Sequence, residues 1–72
     1  MIPGDLTASE ISHAIRRGIF TVTSETEHGY YVTAFRNEGR GPVRLEQSKE
    51  CVRPRTARLY GAQLVRAALE GP

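Results

Sequence analysis

One cysteine, two histidines and a single lysine are spread over 72 residues, and each scarcity removes a class of protein. A lone Cys51 cannot close an internal disulfide, and together with His13 and His28 it approaches no zinc-ligand spacing. We expect it to be buried or inert, in a reducing compartment. No apolar run nears the roughly 18 residues of a membrane-spanning helix, so no membrane partner is expected. Met1-Ile-Pro-Gly-Asp5 lacks the basic start and apolar core of a secretory leader, which makes the expected setting cytoplasmic. No serine sits in a nucleophile elbow. The glycine-rich stretch Asn37-Glu-Gly-Arg-Gly-Pro42 lacks the spacing of a nucleotide-phosphate loop. Repeats, low-complexity tracts and linkers are absent, so residues 1–72 read as one small domain. A domain of this length buries only about 60% of its unfolded surface, which leaves little interior in which to shift a pKa. Glu25, Glu27 and His28 could be grouped as acid and base only on a flexible turn. The expectation is a non-enzymatic protein with no cofactor and no metal.

What is present centres on Gly29-Tyr-Tyr-Val-Thr-Ala-Phe-Arg-Asn-Glu38. Its β-branched and aromatic residues from Tyr30 to Phe35 predict a central strand, closed by a turn at Asn37-Glu38-Gly39. Ile19 to Ser24 predicts a first strand, hairpinned to it through Glu25–Gly29. Two registers are open. One groups Phe20 and Val22 with Val32 and Ala34; a slip of one residue groups them with Thr33 and Phe35. The first is preferred, and it would leave Thr21, Thr23, Tyr31, Thr33 and Phe35 on the opposite, partly exposed face. Pro42 starts a third strand of edge character, with Val43 and Leu45 alternating with Arg44 and Glu46. Gln47 to Val52 reads equally as its continuation past a bulge or as loop.

Helices flank the strands. Thr7-Ala-Ser-Glu10 is a capping box, in which the hydroxyl and the carboxylate each satisfy a free backbone N–H, and Gly18 suits a left-handed stop. Between them Ile11, Ala14 and Ile15 form a stripe expected to face the sheet, with His13, Arg16 and Arg17 as a small basic patch elsewhere. Pro54 opens a second helix running to about Glu70. Its apolar side is expected to hold Ala57, Tyr60, Gly61, Leu64, Val65 and Ala68, and its other side Arg55, Arg58, Ala62 and Arg66. Gly61 at its middle suggests a close approach to the strands or to the first helix. The expected fold is therefore α+β in the order α-β-β-β-α: a three-stranded antiparallel sheet packed against a C-terminal helix, with a short N-terminal helix. That order resembles the layout of double-stranded RNA-binding domains. Arg53-Pro-Arg-Thr-Ala-Arg58 stands where that family carries Lys-Lys-x-Ala-Lys, basic but without the motif, and the first helix runs straight into the first strand without the family's intervening segment.

Charge is the remaining clue to function. Net charge is +2, with nine arginines to one lysine. Residues 1–38 carry −2 and residues 39–72 carry +4. A GC-rich coding sequence produces such an arginine bias without function; arginine is also the better bidentate partner for phosphate. Two partner classes follow. In one, Arg53, Arg55, Arg58 and Arg66 on the second helix, with Arg44, meet nucleic-acid phosphates while Tyr31 and Phe35 stack on bases or form a dimer contact. In the other, the chain is a phage or mobile-element inhibitor, anti-CRISPR-like, docking on a host protein such as a nucleic-acid-handling complex, either through an acidic edge of Glu25, Glu27 and Glu38 or with its arginines against an acidic patch. With so thin a core, a homodimer or a tight partner complex is expected.

Overall fold

The structure is a computed structural model and describes residues 4–71. Helix α1 (Ala8–Arg16) leads into β1 (Ile19–Glu25), β2 (Tyr30–Glu38) and β3 (Gly41–Gln47), and α2 (Pro54–Glu70) closes the chain. The strands form one antiparallel sheet in the order β1-β2-β3. The expected α-β-β-β-α order is therefore the observed one. Among the described residues no helix is long and apolar enough to cross a membrane.

Local chemistry sets most boundaries. Thr7 caps α1 reciprocally: its Oγ1 accepts the Glu10 N–H at 3.2 Å, and its own N–H donates to Glu10 Oε1 at 2.8 Å. Gly18, at φ +71°, provides the left-handed stop that a side chain would resist. Pro54 sits in the first turn of α2, where its missing N–H leaves no bond unmade. The β2 strand runs past Phe35 to Glu38, so the turn falls at Gly39–Arg40 rather than at Asn37-Glu38-Gly39. The bulge in β3 comes early, at Leu45, which is left over between the pairs Ala34–Glu46 and Phe35–Arg44. The ambiguous Gln47–Val52 run does both things expected of it. Ser48 still bonds Val32, the chain then loops out, and Cys51 rejoins the sheet opposite Tyr30 through bonds of 2.7 and 2.8 Å.

The preferred hairpin register is corrected. Phe20 pairs with Phe35 and Val22 with Thr33, the slipped alternative. Ile19, Thr21 and Thr23 therefore share the helix-covered face with Val32 and Ala34, while Phe20 and Val22 join Tyr31, Thr33 and Phe35 on the other. In this register Phe20 stacks on Phe35 away from the helices. The buried side of α2 is built from Ala57, Gly61, Ala62 and Val65, small side chains that bring the helix down onto Val32. The core forms two clusters, Ala14–Ile19–Val65 and Val32–Cys51–Ala57. Cys51 is buried, as expected.

Two helix faces also differ from expectation. Of the α1 stripe only Ala14 is buried; Ile11 is 46% and Ile15 72% exposed. This short helix touches only β1 and α2, at a corner of the sheet, and a corner has room for one small contact residue. On α2, Ala62 is buried at 4% exposure instead of lying among solvated arginines. The segment leading into α1 packs along that side, a tertiary contact that helical periodicity does not report. Leu64 and Tyr60 are half-buried around the second cluster.

Candidate functional site: an uncovered sheet face

Both helices lie on one face of the sheet, and the shortest dimension of the chain, 15 Å, is that of one helix layer on one sheet layer. The other face has no layer over it. Alternation along β1 and β2 places Phe20, Val22, Tyr31, Thr33 and Phe35 there, and pairing with β3 adds Arg44 beside Phe35 and Gln47 beside Thr33. The rings of Phe20 and Phe35 stack with centroids 5.3 Å apart and an angle of 17° between planes. Such a cross-strand pair contributes about 0.5–1.5 kcal/mol beyond its area, so it stiffens the platform it forms. Thr33, between flanking rings on the central strand, is closed off at 6% exposure.

The arginines sort into two sets. Arg66 is held at the N-terminal segment: its Nε donates to Glu10 Oε2 at 2.8 Å, Nη2 to Glu10 Oε1 at 3.1 Å and to the Asp5 carbonyl at 2.7 Å, and Nη1 to the Gly4 carbonyl at 2.8 Å. The guanidinium, assisted by the Thr7 backbone N–H, lowers the Glu10 carboxyl from 4.5 to about 2, and Glu10 in turn raises Arg66. Arg58 pairs with Asp5 at 3.1 Å. These two residues therefore fasten the N-terminal segment to α2 instead of forming a free basic stripe with Arg55. Arg53 and Arg55 are exposed at the start of α2 and have no ion-pair partner among the described residues.

The second set collects at the opposite end of the sheet. Ile19 pairs with Arg36 and Arg36 with Val43, so Arg16 and Arg17, the last residues before Gly18, reach the same end of the sheet as Arg36, Arg40 and Arg44, with Arg36 on the helix-covered face and Arg44 on the open one. Arg17 is anchored there by a 3.0 Å bond to the Leu69 carbonyl and Arg36 by Glu38 at 3.0 Å. Arg16, Arg40 and Arg44 remain exposed. The expected acidic edge is divided. Glu25 ends β1 and Glu27 lies in the β1–β2 turn, where the Thr26 hydroxyl donates to Glu50 at 2.6 Å, and Glu38 lies at the far end of β2. A nine-residue strand separates them. The molecule thus gathers arginines towards one end of the sheet, while at the other Glu25, Glu27 and Glu50 share their surroundings with Lys49, Arg53 and Arg55 around the start of α2, a grouping not visible in the −2 and +4 halves of the sequence.

No known family, curated protein or solved structure matches this chain. Its site must therefore be read from its own residues. The structure brings Tyr31, Phe35 and Arg44 onto one face, and separates them from Arg53, Arg55, Arg58 and Arg66. Sequence reasoning missed Phe20 because it favoured the other register; the pairing of two aromatics in the slipped register was the available signal. It also missed the convergence of Arg16, Arg17, Arg36 and Arg40. On the helix side, a groove of about 470 Å³ runs between β1, α2 and the N-terminal segment, with Thr21, Thr23, Gly61 and Ala62 among its lining.

Proposed function

We propose that this protein is a small non-enzymatic binding module for single-stranded nucleic acid, and that the uncovered sheet face is where it binds. The observation that carries this reading is the stacked Phe20–Phe35 pair on a face neither helix covers, with Arg44 beside it and the basic end adjoining. Aromatic rings on an open sheet accept bases of any identity by stacking, and arginines at the margin neutralise the backbone. On α2, Arg58 and Arg66 already have carboxylate partners, while Arg53 and Arg55 there, like Arg40 and Arg44 here, have none among the described residues, so it is the stacked rings beside Arg44 that favour this face.

Anisotropy titration of a labelled single-stranded oligonucleotide tests the proposal. Phe35→Leu keeps apolar bulk and removes the stacking ring, and should weaken binding by about 1–3 kcal/mol. Arg44→Ala should lower the slope of log affinity against log salt by about one unit. Wild-type protein with no salt-sensitive affinity at low ionic strength, or a folded Phe35→Leu that binds unchanged, refutes this reading. In that event the second reading, a mobile-element inhibitor docking on a host protein complex, takes its place. It rests on the acidic turn, where Glu25 and Glu27 flank Thr26 and the Thr26 hydroxyl donates to Glu50, and it predicts loss of partner binding on reversal of Glu25 and Glu27.

A further inference from the structure

The two edges of the sheet are unequally protected. Strand β3 carries Pro42, Arg44, Glu46 and a bulge at Leu45, the devices that discourage a further strand from pairing. Strand β1, Ile19-Phe-Thr-Val-Thr-Ser-Glu25, has no proline and no bulge, and its one charge is at its end. The direction of its free backbone groups follows from the ladder. The Asn37 N–H donates to the Gly18 carbonyl at 2.8 Å and the Thr26 N–H to the Gly29 carbonyl at 2.8 Å, at the two ends of the β1–β2 register. In an antiparallel ladder alternate pairs exchange hydrogen bonds, so Phe20, Val22 and Ser24 bond inward to β2. Ile19, Thr21, Thr23 and Glu25 therefore aim both N–H and C=O at the open edge.

We infer that β1 pairs with β1 of a second copy of this chain, joining two sheets into one six-stranded sheet about a two-fold axis at Val22. Antiparallel pairing of a strand with itself is self-complementary, as an isologous interface requires. Centred on Val22, it sets Thr21 opposite the partner's Thr23, Phe20 opposite the partner's Ser24 and Ile19 opposite the partner's Glu25, so no like charges meet. Val22, now 45% exposed, would cover its own copy across the axis. The flanking helix favours the same side. Touching only β1 and α2, α1 leaves Ile11 and Ile15 exposed next to this edge, and the groove lined by Thr21 and Thr23 opens beneath it. Among the described residues, an unguarded edge, an apolar residue at its centre and exposed isoleucines on the adjoining helix coincide here. The uncovered face of each copy stays free, and joining the copies extends it into one longer platform.

Sedimentation of the full chain across a wide concentration range, together with hydrogen exchange, tests the pairing. The amides of Phe20, Val22 and Ser24 exchange slowly in monomer and dimer alike, because they bond to β2. Those of Thr21 and Thr23 should slow by at least about tenfold, and only where the mass has doubled. Val22→Lys places a charge on the axis, and Thr23→Pro removes an outward N–H without breaking a β1–β2 bond; each should give a folded monomer with fast exchange at Thr21. A wild-type monomer at every concentration overturns the inference. So does a dimer whose Thr21 and Thr23 amides stay fast, or one that survives Val22→Lys, since such a dimer uses another surface. The exchange measurement on wild-type protein decides the matter even where a variant fails to fold.

Discussion

Gly61→Ala should stabilise this protein, although Gly61 is buried in the middle of α2. A Cβ built at this position lies 3.5 Å from Val32 Cγ1 and 3.7 Å from Thr21 Oγ1, ordinary van der Waals distances, and no positive φ would be lost. In a helix interior glycine is less favourable than alanine by about 1 kcal/mol, because it has more backbone freedom to lose on folding. Burying one methyl group adds up to about 0.8 kcal/mol. The gain is therefore about 1–2 kcal/mol, which in a domain of this size raises the melting temperature by roughly 5–15 °C. Thermal unfolding followed by far-ultraviolet circular dichroism, with urea midpoints as a second measure, gives the value. An unchanged or lower melting temperature would refute the packing described for the helix–sheet contact, and would mean that α2 lies too close to β2 for any side chain. Nucleic-acid affinity should be unaffected, since Gly61 is on the covered side.

Gly29→Ala is the opposite case: with φ at +155°, a Cβ would meet the Cys51 carbonyl oxygen, so the Tyr30–Cys51 bridge must open. We expect a loss of more than about 2 kcal/mol and fast exchange of the Tyr30 amide; a variant with wild-type melting behaviour would contradict this contact. The Glu10–Arg66 pair predicts acid sensitivity. Because the folded state lowers the Glu10 pKa from 4.5 to about 2, its contribution is present above about pH 4.5 and is lost as pH falls towards 2. Glu10→Gln should therefore melt below wild type near neutral pH and together with it at about pH 2; an equal gap at both ends would place the stabilisation elsewhere than in the charge.

Everything governed by neighbours in the chain was legible in the sequence. The capping box at Thr7 and Glu10, the glycine stop at Gly18, the proline at the start of α2 and the β-branched runs fixed five elements in the right order, because caps, left-handed glycines and side-chain alternation act within a few residues. What depends on which surfaces meet was not. Hairpin register hung on which side chains met across the pair, Phe20 on Phe35 in the event, and period-two alternation is equally satisfied one residue either way. Helical periodicity grouped Ala62 with Arg58 and Arg66, and only the N-terminal segment folding back onto them turned two apparently free arginines into partners of Asp5 and Glu10. The gathering of arginines at one end of the sheet likewise came from antiparallel pairing, which brings Arg36 to the end where Arg17 precedes β1 and carries Glu25 and Glu27 a full strand away from Glu38. Local chemistry thus determined the elements of this protein, and long-range packing decided which of their faces remain open to bind.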